Sequence, residues 1–127
     1  DIIYVGGGNT KSMLAVWKDW KLDVLLKKAY IKGKILCGVS AGSICWFKYG
    51  ITDSWASNLN IMECLGFVDD NNCPHYNGEV ERKPFVFNSI KSKKIIHVML
   101  VKMEQRCIIK MENYLNQFLF IKVLNHI

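Results

Sequence analysis

The sequence has few of the features that define membrane, metal-binding and disulfide-rich proteins. Among its 127 residues, no hydrophobic run approaches the roughly 20 residues that a membrane-spanning helix needs. Its five cysteines are odd in number and form no C-x-x-C pair, which favours neither structural zinc nor a disulfide framework. The composition therefore predicts one small domain in the cytoplasm, with reduced thiols, no membrane contact, no metal and no other cofactor.

Acidic residues are scarce only in the last third of the chain, and this scarcity produces the net charge of +6. Residues 1–90 carry ten Lys or Arg against nine Asp or Glu, whereas residues 91–127 carry seven against two. The basic residues of this last third are scattered among Ile, Met and Phe, whereas phosphate binding requires them on one face. The charge therefore does not favour a nucleic-acid partner.

Short apolar runs that end in glycine alternate with segments of helical spacing. Residues 1–5 and 34–39 are typical of buried strands, and residues 11–33 predict one or two amphipathic helices between them. Strands that alternate with helices across short turns predict an α/β fold with a parallel sheet. Residues 50–84 are rich in Gly, Asn, Asp and Pro and predict loops, where site residues commonly lie.

Residues 38–42, Gly-Val-Ser-Ala-Gly, match the pattern G-x-S-x-G between a predicted strand and a predicted helix. In that setting the serine occupies a strained turn with small neighbours, which exposes the Ser40 hydroxyl as a nucleophile. The N–H group of Ala41 would then face an oxyanion formed beside Ser40. The alternative interpretation is an incidental tight turn.

A second glycine-rich turn, Gly-Gly-Gly-Asn-Thr, follows the first predicted strand. Its glycines let the backbone approach a ligand closely, and the N–H groups of Gly7 and Gly8 could complete an oxyanion hole. A phosphate-binding loop is not favoured, because neither G-x-x-x-x-G-K-[ST] nor G-x-G-x-x-G matches. A plain tight turn is the alternative here as well.

A serine nucleophile requires a base, and the chain has only three histidines. His75 lies in the polar, turn-rich stretch "NNCPHYNGE", whereas His97 and His126 fall in the apolar tail, so His75 is the candidate base. A third group should orient the histidine. Spacing does not choose among the carboxylates of the loop-rich region, which are Asp53, Glu63, Asp69, Asp70, Glu79 and Glu81.

The segments "IIYVGGGNT", "LCGVSAGSIC", "LGF" and "CPHYNGEVERKPF" together resemble the peptidase E family, the α-aspartyl dipeptidases and their relatives. The resemblance covers residues 1 to about 90. It implies an α/β fold with a mostly parallel sheet flanked by helices, similar to class I glutamine amidotransferases. It also implies a cytoplasmic serine peptidase whose substrates are small peptides with an N-terminal aspartate.

Carried over by motif, the resemblance implies a role for eight residues of this sequence. Ser40 would be the nucleophile and His75 the general base, and Asp53 matches an acid that relatives place after the elbow helix. The remaining roles are an oxyanion hole at Gly7, Gly8 and Ala41 and substrate binding by Asn9 and Arg82. For Arg82 there are two interpretations: a bidentate contact to a substrate carboxylate, or an arginine that is simply exposed to solvent.

The sequence departs from the family at both ends, so we expect the α/β fold to be incomplete and the activity impaired. Family members begin before the "YVGGGNT" strand, and the missing strands would leave an exposed sheet edge. Residues 1–92 are therefore interpreted as a partial catalytic domain and residues 93–127 as a divergent tail. A non-catalytic remnant or binding module with an α/β core is the alternative, and the oligomeric state is left open.

The tail is interpreted as a product of a shifted reading frame. Relatives continue after the histidine motif with a segment of the type Glu-Asp-Gly-Ala-Ala, which can supply the triad acid. Residues 101–115, read from the third base of the Val101 codon, permit such a segment under the genetic code. A run of adenines around Lys93 and Lys94 would be a plausible slip point, and residues after it would not have been selected to pack.

Overall fold

The computed structural model describes the backbone of residues 1–113 and 118–124 and the side chains of residues 1–111. In chain order the elements are β1 (Ile2–Val5), α1 (Thr10–Asp19), α2 (Leu22–Ile31), β2 (Ile35–Gly38), α3 (Ala41–Ile44), β3 (Phe47–Thr52), β4 (Asn60–Glu63), β5 (Val68–Cys73), α4 (Arg82–Lys91), β6 (Met99–Leu100), β7 (Arg106–Asn113) and β8 (Phe118–Leu124). The predicted α/β class is confirmed. In the described part of the chain, no helix is long and apolar enough to cross a membrane.

The described strands form two four-stranded sheets, in the orders β1-β2-β7-β8 and β4-β3-β5-β6. Three of the pairings are parallel (β1 with β2, β3 with β5 and β5 with β6), and the other three are antiparallel. The sheets are thus more mixed than the sequence predicted, because β4, β7 and β8 return antiparallel to their neighbours. Strand β1 lies at an edge of its sheet with Ile2 and Tyr4 exposed.

The helical stretch between β1 and β2 divides into two helices at Trp20 and Lys21. Lys21 has a φ of 58°, a left-handed conformation that no residue of an α-helix adopts. Residues 50–84, which the sequence predicted as loops, contain the end of β3 and all of β4 and β5. The polar run Val-Asp-Asp-Asn-Asn-Cys of β5 has low strand propensity, but it pairs with β3 on one side and β6 on the other.

The larger hydrophobic core lies around Trp46, whose ring centroid is 6.0 Å from that of Trp17 and 5.9 Å from that of Phe67. The tail contributes to this core, because Cys107 and Ile109 of β7 are fully buried where β7 pairs with β2. These tail residues pack, contrary to the expectation that residues after the slip point were not selected to do so. The origin of residues 93–127 in a shifted frame stays a prediction, and His126 lies outside the described residues.

Candidate active site

The G-x-S-x-G segment forms a sharp turn between β2 and α3. Ser40 has φ 54° and ψ −117°, so the residue between strand and helix adopts a conformation that L-amino acids rarely take. Two backbone hydrogen bonds hold the turn, since Gly42 N–H donates to the Val39 carbonyl and Ser43 N–H donates to the Ser40 carbonyl. A strained serine on such a turn presents its hydroxyl at the end of the strand.

The two glycines of this segment allow three backbone stretches to meet. A Cβ atom on Gly38 would lie 2.3 Å from the Gly42 carbonyl oxygen, and a Cβ atom on Gly42 would lie 2.1 Å from the Val5 carbonyl oxygen. Because β1 and β2 are parallel, with Val5 in register with Gly38, the turns after both strands leave the same edge of the sheet. The glycine-rich turn after β1 therefore lies beside Ser40.

His75 reaches Ser40 from the other sheet. It follows β5 in a turn where its φ is 56°, and its Nε2 atom lies 2.7 Å from the Ser40 Oγ atom. This is a normal hydrogen-bond distance between a serine nucleophile and its base. The structure thus brings the two residues into contact, while their catalytic roles stay a prediction.

The pKa of His75 is lowered below the ordinary value of 6.5. Burial is the largest cause, and the positive charge of Arg82 acts in the same direction, whereas the carboxylates of Glu79 and Asp53 oppose it. A lowered pKa keeps the imidazole neutral near pH 7. A neutral Nε2 can accept the proton of the Ser40 hydroxyl.

The other ring nitrogen of His75 does not contact an acid. Its Nδ1 atom lies 2.7 Å from the Sδ atom of Met103, a weak acceptor. Asp53, exposed after β3, influences the pKa of His75 through its charge, but the described contacts include no hydrogen bond between the two. The assignment of Asp53 as the orienting acid stays a prediction.

The structure places Gly7, one of the three predicted oxyanion-hole residues, beside the Ser40 side chain. Gly7 is next to Ser40, because a Cβ atom on Gly7 would be 3.5 Å from the Ser40 Cβ atom. Among the described residues, the N–H groups of Gly7 and Gly8 donate to no protein atom, and Ala41 N–H has no acceptor within the helix that it begins. The role of the three N–H groups as an oxyanion hole stays a prediction.

Asn9 is exposed, and its side chain supports the glycine-rich turn through two hydrogen bonds. Its Oδ1 atom accepts the N–H of Ser12 at 2.9 Å and caps α1, and its Nδ2 atom donates to the Ser54 carbonyl. The Ser54 hydroxyl in turn accepts the N–H of Thr10. Asn9 is therefore a cap that ties the turn after β1 to the loop after β3. A direct contact between Asn9 and substrate stays a prediction.

Arg82 is buried, with only 3% of its surface exposed, so it is not the solvated arginine of the alternative interpretation. Its Nε atom donates to a Glu79 carboxylate oxygen at 2.7 Å, and its Nη1 atom donates to the Ile51 carbonyl at 2.8 Å. This placement argues against direct contact with a substrate carboxylate. Arg82 instead joins the end of β3 to the turn that carries His75.

The cysteines of this chain are poor candidates for an alternative nucleophile. Burial raises the pKa of all five cysteine thiols, to about 12 for Cys64 and Cys107, which leaves them poor nucleophiles at neutral pH. In the part of the chain that the structure describes, no group of three or more His, Cys, Asp or Glu side chains could hold a metal ion.

Sequence reasoning missed Met103, which contacts His75 from the tail. A methionine in an apolar stretch carries no chemical signal of a site. Met103 could have been found only with knowledge that β5 pairs with β6, because this pairing brings the turns after both strands to one edge of the sheet.

A strained serine in contact with a histidine, at the end of a parallel strand, is the arrangement that serine hydrolases of α/β fold use. The chain belongs to peptidase family S51, whose family model matches residues 1–115.

The curated relatives carry peptidase names. The chain is 48% identical over 93 residues to the uncharacterized peptidase YgaJ of Bacillus subtilis (strain 168), which covers 73% of this chain and 40% of that protein. It is 35% identical over 83 residues to the uncharacterized peptidase Lmo0363 of Listeria monocytogenes, with 61% and 40% covered. The chain thus spans 40% of the length of these relatives.

A solved structure shows the same fold. The 1.5 Å crystal structure of a candidate peptidase E from Listeria monocytogenes EGD-e matches with a TM-score of 0.60 and 22% identity. The match covers 98% of this chain and 60% of that chain. At 22% identity this comparison supports the fold alone.

Proposed function

We propose that this chain carries the catalytic core of a serine-type peptidase, with Ser40 as nucleophile and His75 as general base. The observation that carries the proposal is the 2.7 Å contact between Ser40 Oγ and His75 Nε2, two residues on separate turns that each have a positive φ. Two residues 35 positions apart in sequence, each in a rare backbone conformation, meet through the two atoms that proton transfer requires.

The proposed reaction proceeds through an acyl-enzyme. His75 Nε2 takes the hydroxyl proton while Ser40 Oγ attacks the scissile carbonyl carbon, and the N–H groups of Gly7, Gly8 and Ala41 bind the resulting oxyanion. His75 then gives the proton to the leaving amine, and the C–N bond breaks. In the second half, His75 takes a proton from water while the water oxygen attacks the ester carbon, and the imidazolium then gives this proton to Ser40 Oγ as the ester C–O bond breaks.

The proposed substrates are small peptides with an N-terminal aspartate, and this part of the proposal rests on the family resemblance. The site adds one constraint. The loop that carries Asp53 lies against the oxyanion turn, because Ser54 bonds to both Asn9 and Thr10. A substrate that reaches Ser40 therefore passes close to the loop of residues 53–55, which is a candidate for contacting its N-terminal residue.

We further propose that the activity is impaired, because His75 Nδ1 contacts a thioether rather than a carboxylate. The same observation favours the second candidate function, a non-catalytic binding module with an α/β core. A module of this kind would keep the turn at Ser40 without turnover. The two candidates differ in whether Ser40 reacts.

A fluorophosphonate probe tests the proposal, because it modifies only an activated serine. We expect slow labelling of the folded chain, complete loss of labelling in Ser40→Ala, and release of product from an Asp-X dipeptide at a rate far below ordinary enzymatic turnover. Ser12→Ala is the matched control, since Ser12 is exposed in the first turn of α1 and should keep full labelling.

Absence of labelling in a chain shown to be folded by circular dichroism would favour the binding module. Equal labelling of Ser40→Ala and the parent chain would refute Ser40 as the nucleophile. Hydrolysis of Leu-X dipeptides as fast as Asp-X dipeptides would remove the proposed substrate preference and leave the serine mechanism standing.

A further inference from the structure

The segment after β6 runs alongside the turn that carries His75. Strands β5 and β6 are parallel, with Cys73 in register with Leu100, so the chain leaves both strands at the same edge of the sheet. Backbone hydrogen bonds continue this contact, from Val101 N–H to the Cys73 carbonyl and from Tyr76 N–H to the Val101 carbonyl. The position of residue 103 relative to His75 is therefore fixed by the backbone.

Met103 itself is held at the turn by two further features. Its N–H donates to the Asn77 Oδ1 atom at 2.8 Å. Gly78 leaves space for its side chain, since a Cβ atom on Gly78 would lie 2.6 Å from the Met103 Cε atom. The side chain at position 103 thus extends over the turn and ends at His75, where Sδ lies 2.7 Å from Nδ1.

A catalytic histidine needs an acceptor at this nitrogen. When Nδ1 donates its proton to a carboxylate, the neutral ring carries its lone pair on Nε2 and is held in the orientation that serves the nucleophile. Among the side chains that the structure describes, no carboxylate accepts a hydrogen bond from His75 Nδ1. The thioether of Met103 occupies that place, at a distance that suits an N–H···O bond.

We propose that residue 103 is the positioning residue for the general base, and that methionine at this position is what limits the site. The inference rests on the proposed function of Ser40 and His75. Aspartate at position 103 would complete the site, because Oδ1 of Asp and Sδ of Met are each the third atom beyond Cα along the side chain. The carboxylate oxygen would take the place of the sulfur without movement of the backbone.

The genetic code points to the same position in the frame that restores the acidic segment of the relatives. Lysine codons end in A or G and the methionine codon is ATG, so a frame that starts at the third base of the Val101 codon reads AAT or GAT across Lys102 and Met103. These codons specify asparagine and aspartate alone. In that frame the residue aligned with Met103 carries an oxygen on its γ-carbon, which is the acceptor that Nδ1 lacks.

The coding sequence tests the genetic step directly. We expect this frame to stay open from the slip point near Lys94 through residue 115. A stop codon in it, for example TAA across Val101 and Lys102, would overturn the step, whereas an open frame with AAG at Lys102 would give aspartate at the aligned position.

The protein test is Met103→Asp, with the pKa of His75 followed by NMR titration of its ring protons and assigned by comparison with His75→Gln. We expect the pKa of His75 to rise by about one pH unit or more, as an adjacent carboxylate causes. We also expect fluorophosphonate labelling to quicken at least about tenfold, part of the roughly 10⁴-fold that loss of the orienting acid costs a serine protease.

Val80→Asp is the matched control for charge, because Val80 is 85% exposed and lies a few residues beyond His75 in the chain. It adds the same negative charge without an acceptor at Nδ1, so the pKa of His75 should change far less than in Met103→Asp. Met103→Asn supplies the oxygen without the charge. It should give a downfield Nδ1–H resonance with a smaller rise of the pKa, and it keeps the test open if Met103→Asp does not fold.

The outcomes separate this inference from the proposed function. A raised pKa of His75 in Met103→Asp without any labelling would support residue 103 as the positioning residue and refute the serine mechanism. Equal pKa values of His75 in Met103→Asp and Val80→Asp, with no downfield Nδ1–H resonance in Met103→Asn, would overturn the inference whatever the labelling rates.

Discussion

The substitution Gly42→Ala tests whether the close approach of β1 to the nucleophile turn is required for folding. The added Cβ atom would lie 2.1 Å from the Val5 carbonyl oxygen, 2.6 Å from the Val5 carbonyl carbon and 2.8 Å from the Gly6 carbonyl oxygen. Ordinary carbon–oxygen contacts begin near about 3.3 Å, so the end of β1 must move by about 1 Å. All three atoms belong to the backbone, so no side-chain rotation relieves the contact.

The expected loss of stability combines two opposing effects. Overpacking that forces backbone shifts costs about 1–3 kcal/mol, and the upper part of that range applies here because the displaced atoms belong to a paired strand. Alanine in place of glycine within α3 recovers up to about 1 kcal/mol of helix propensity. The net expectation is a loss of about 2 kcal/mol in the free energy of unfolding. Movement of Val5 would also break the hydrogen bond that its carbonyl accepts from Val39 N–H.

Urea denaturation followed by circular dichroism measures this loss. With a slope near 2 kcal/mol per molar, about 2 kcal/mol moves the midpoint down by about 1 M. Gly6→Ala is the matched control, because a Cβ atom on Gly6 meets nothing within 4 Å and should change stability by less than about 0.5 kcal/mol. Coincident midpoints for Gly42→Ala, Gly6→Ala and the parent chain would refute the packing argument.

Three further predictions concern the groups around His75. Fluorophosphonate labelling should fall in acid with a midpoint below pH 6.5, because burial lowers the pKa of His75 and only the neutral ring accepts the serine proton; a midpoint above 6.5 would contradict this. In Asp53→Asn that midpoint should move lower still, since the Asp53 charge raises the pKa of His75, with less than about a tenfold loss of rate; a loss near about 10⁴-fold would identify Asp53 as the orienting acid. Arg82→Leu should lower stability by about 2 kcal/mol in thermal melts, because the Ile51 carbonyl and the partly exposed Glu79 carboxylate lose a charged donor; unchanged stability with a raised KM would place Arg82 in substrate binding instead.

The sequence predicted the local elements of the nucleophile turn because they depend on short-range rules. Both β1 and β2 are apolar runs that end in glycine and are followed by the start of a helix. This local pattern predicts the strands and their turns almost independently of the remaining chain. The α/β class follows from that alternation and is confirmed. The division of residues 11–33 at Lys21 follows from a left-handed residue that no propensity marks in advance.

The features that the sequence did not predict depend on pairing between strands that are distant in sequence. Residues 68–73 are too polar to be predicted as a strand, yet β5 forms because β3 and β6 supply backbone partners on both sides. The tail has no alternating pattern, yet β7 pairs with β2 and buries Cys107 and Ile109. Neither Met103 at the histidine nor the burial of Arg82 could be inferred without these pairings.

The candidate site depends on four segments that leave parallel strands at two common edges. The turn after β1 and the turn after β2 meet through one parallel pairing, and the turn after β5 and the segment after β6 meet through another. The contact between Ser40 and His75 is the bridge between the two sheets. The first three segments carry the glycines, the serine and the histidine that the proposed mechanism uses, and the fourth carries Met103, whose sulfur contacts Nδ1 of His75. Under the proposal for residue 103, a carboxylate in place of its thioether is the change that would complete the proposed triad.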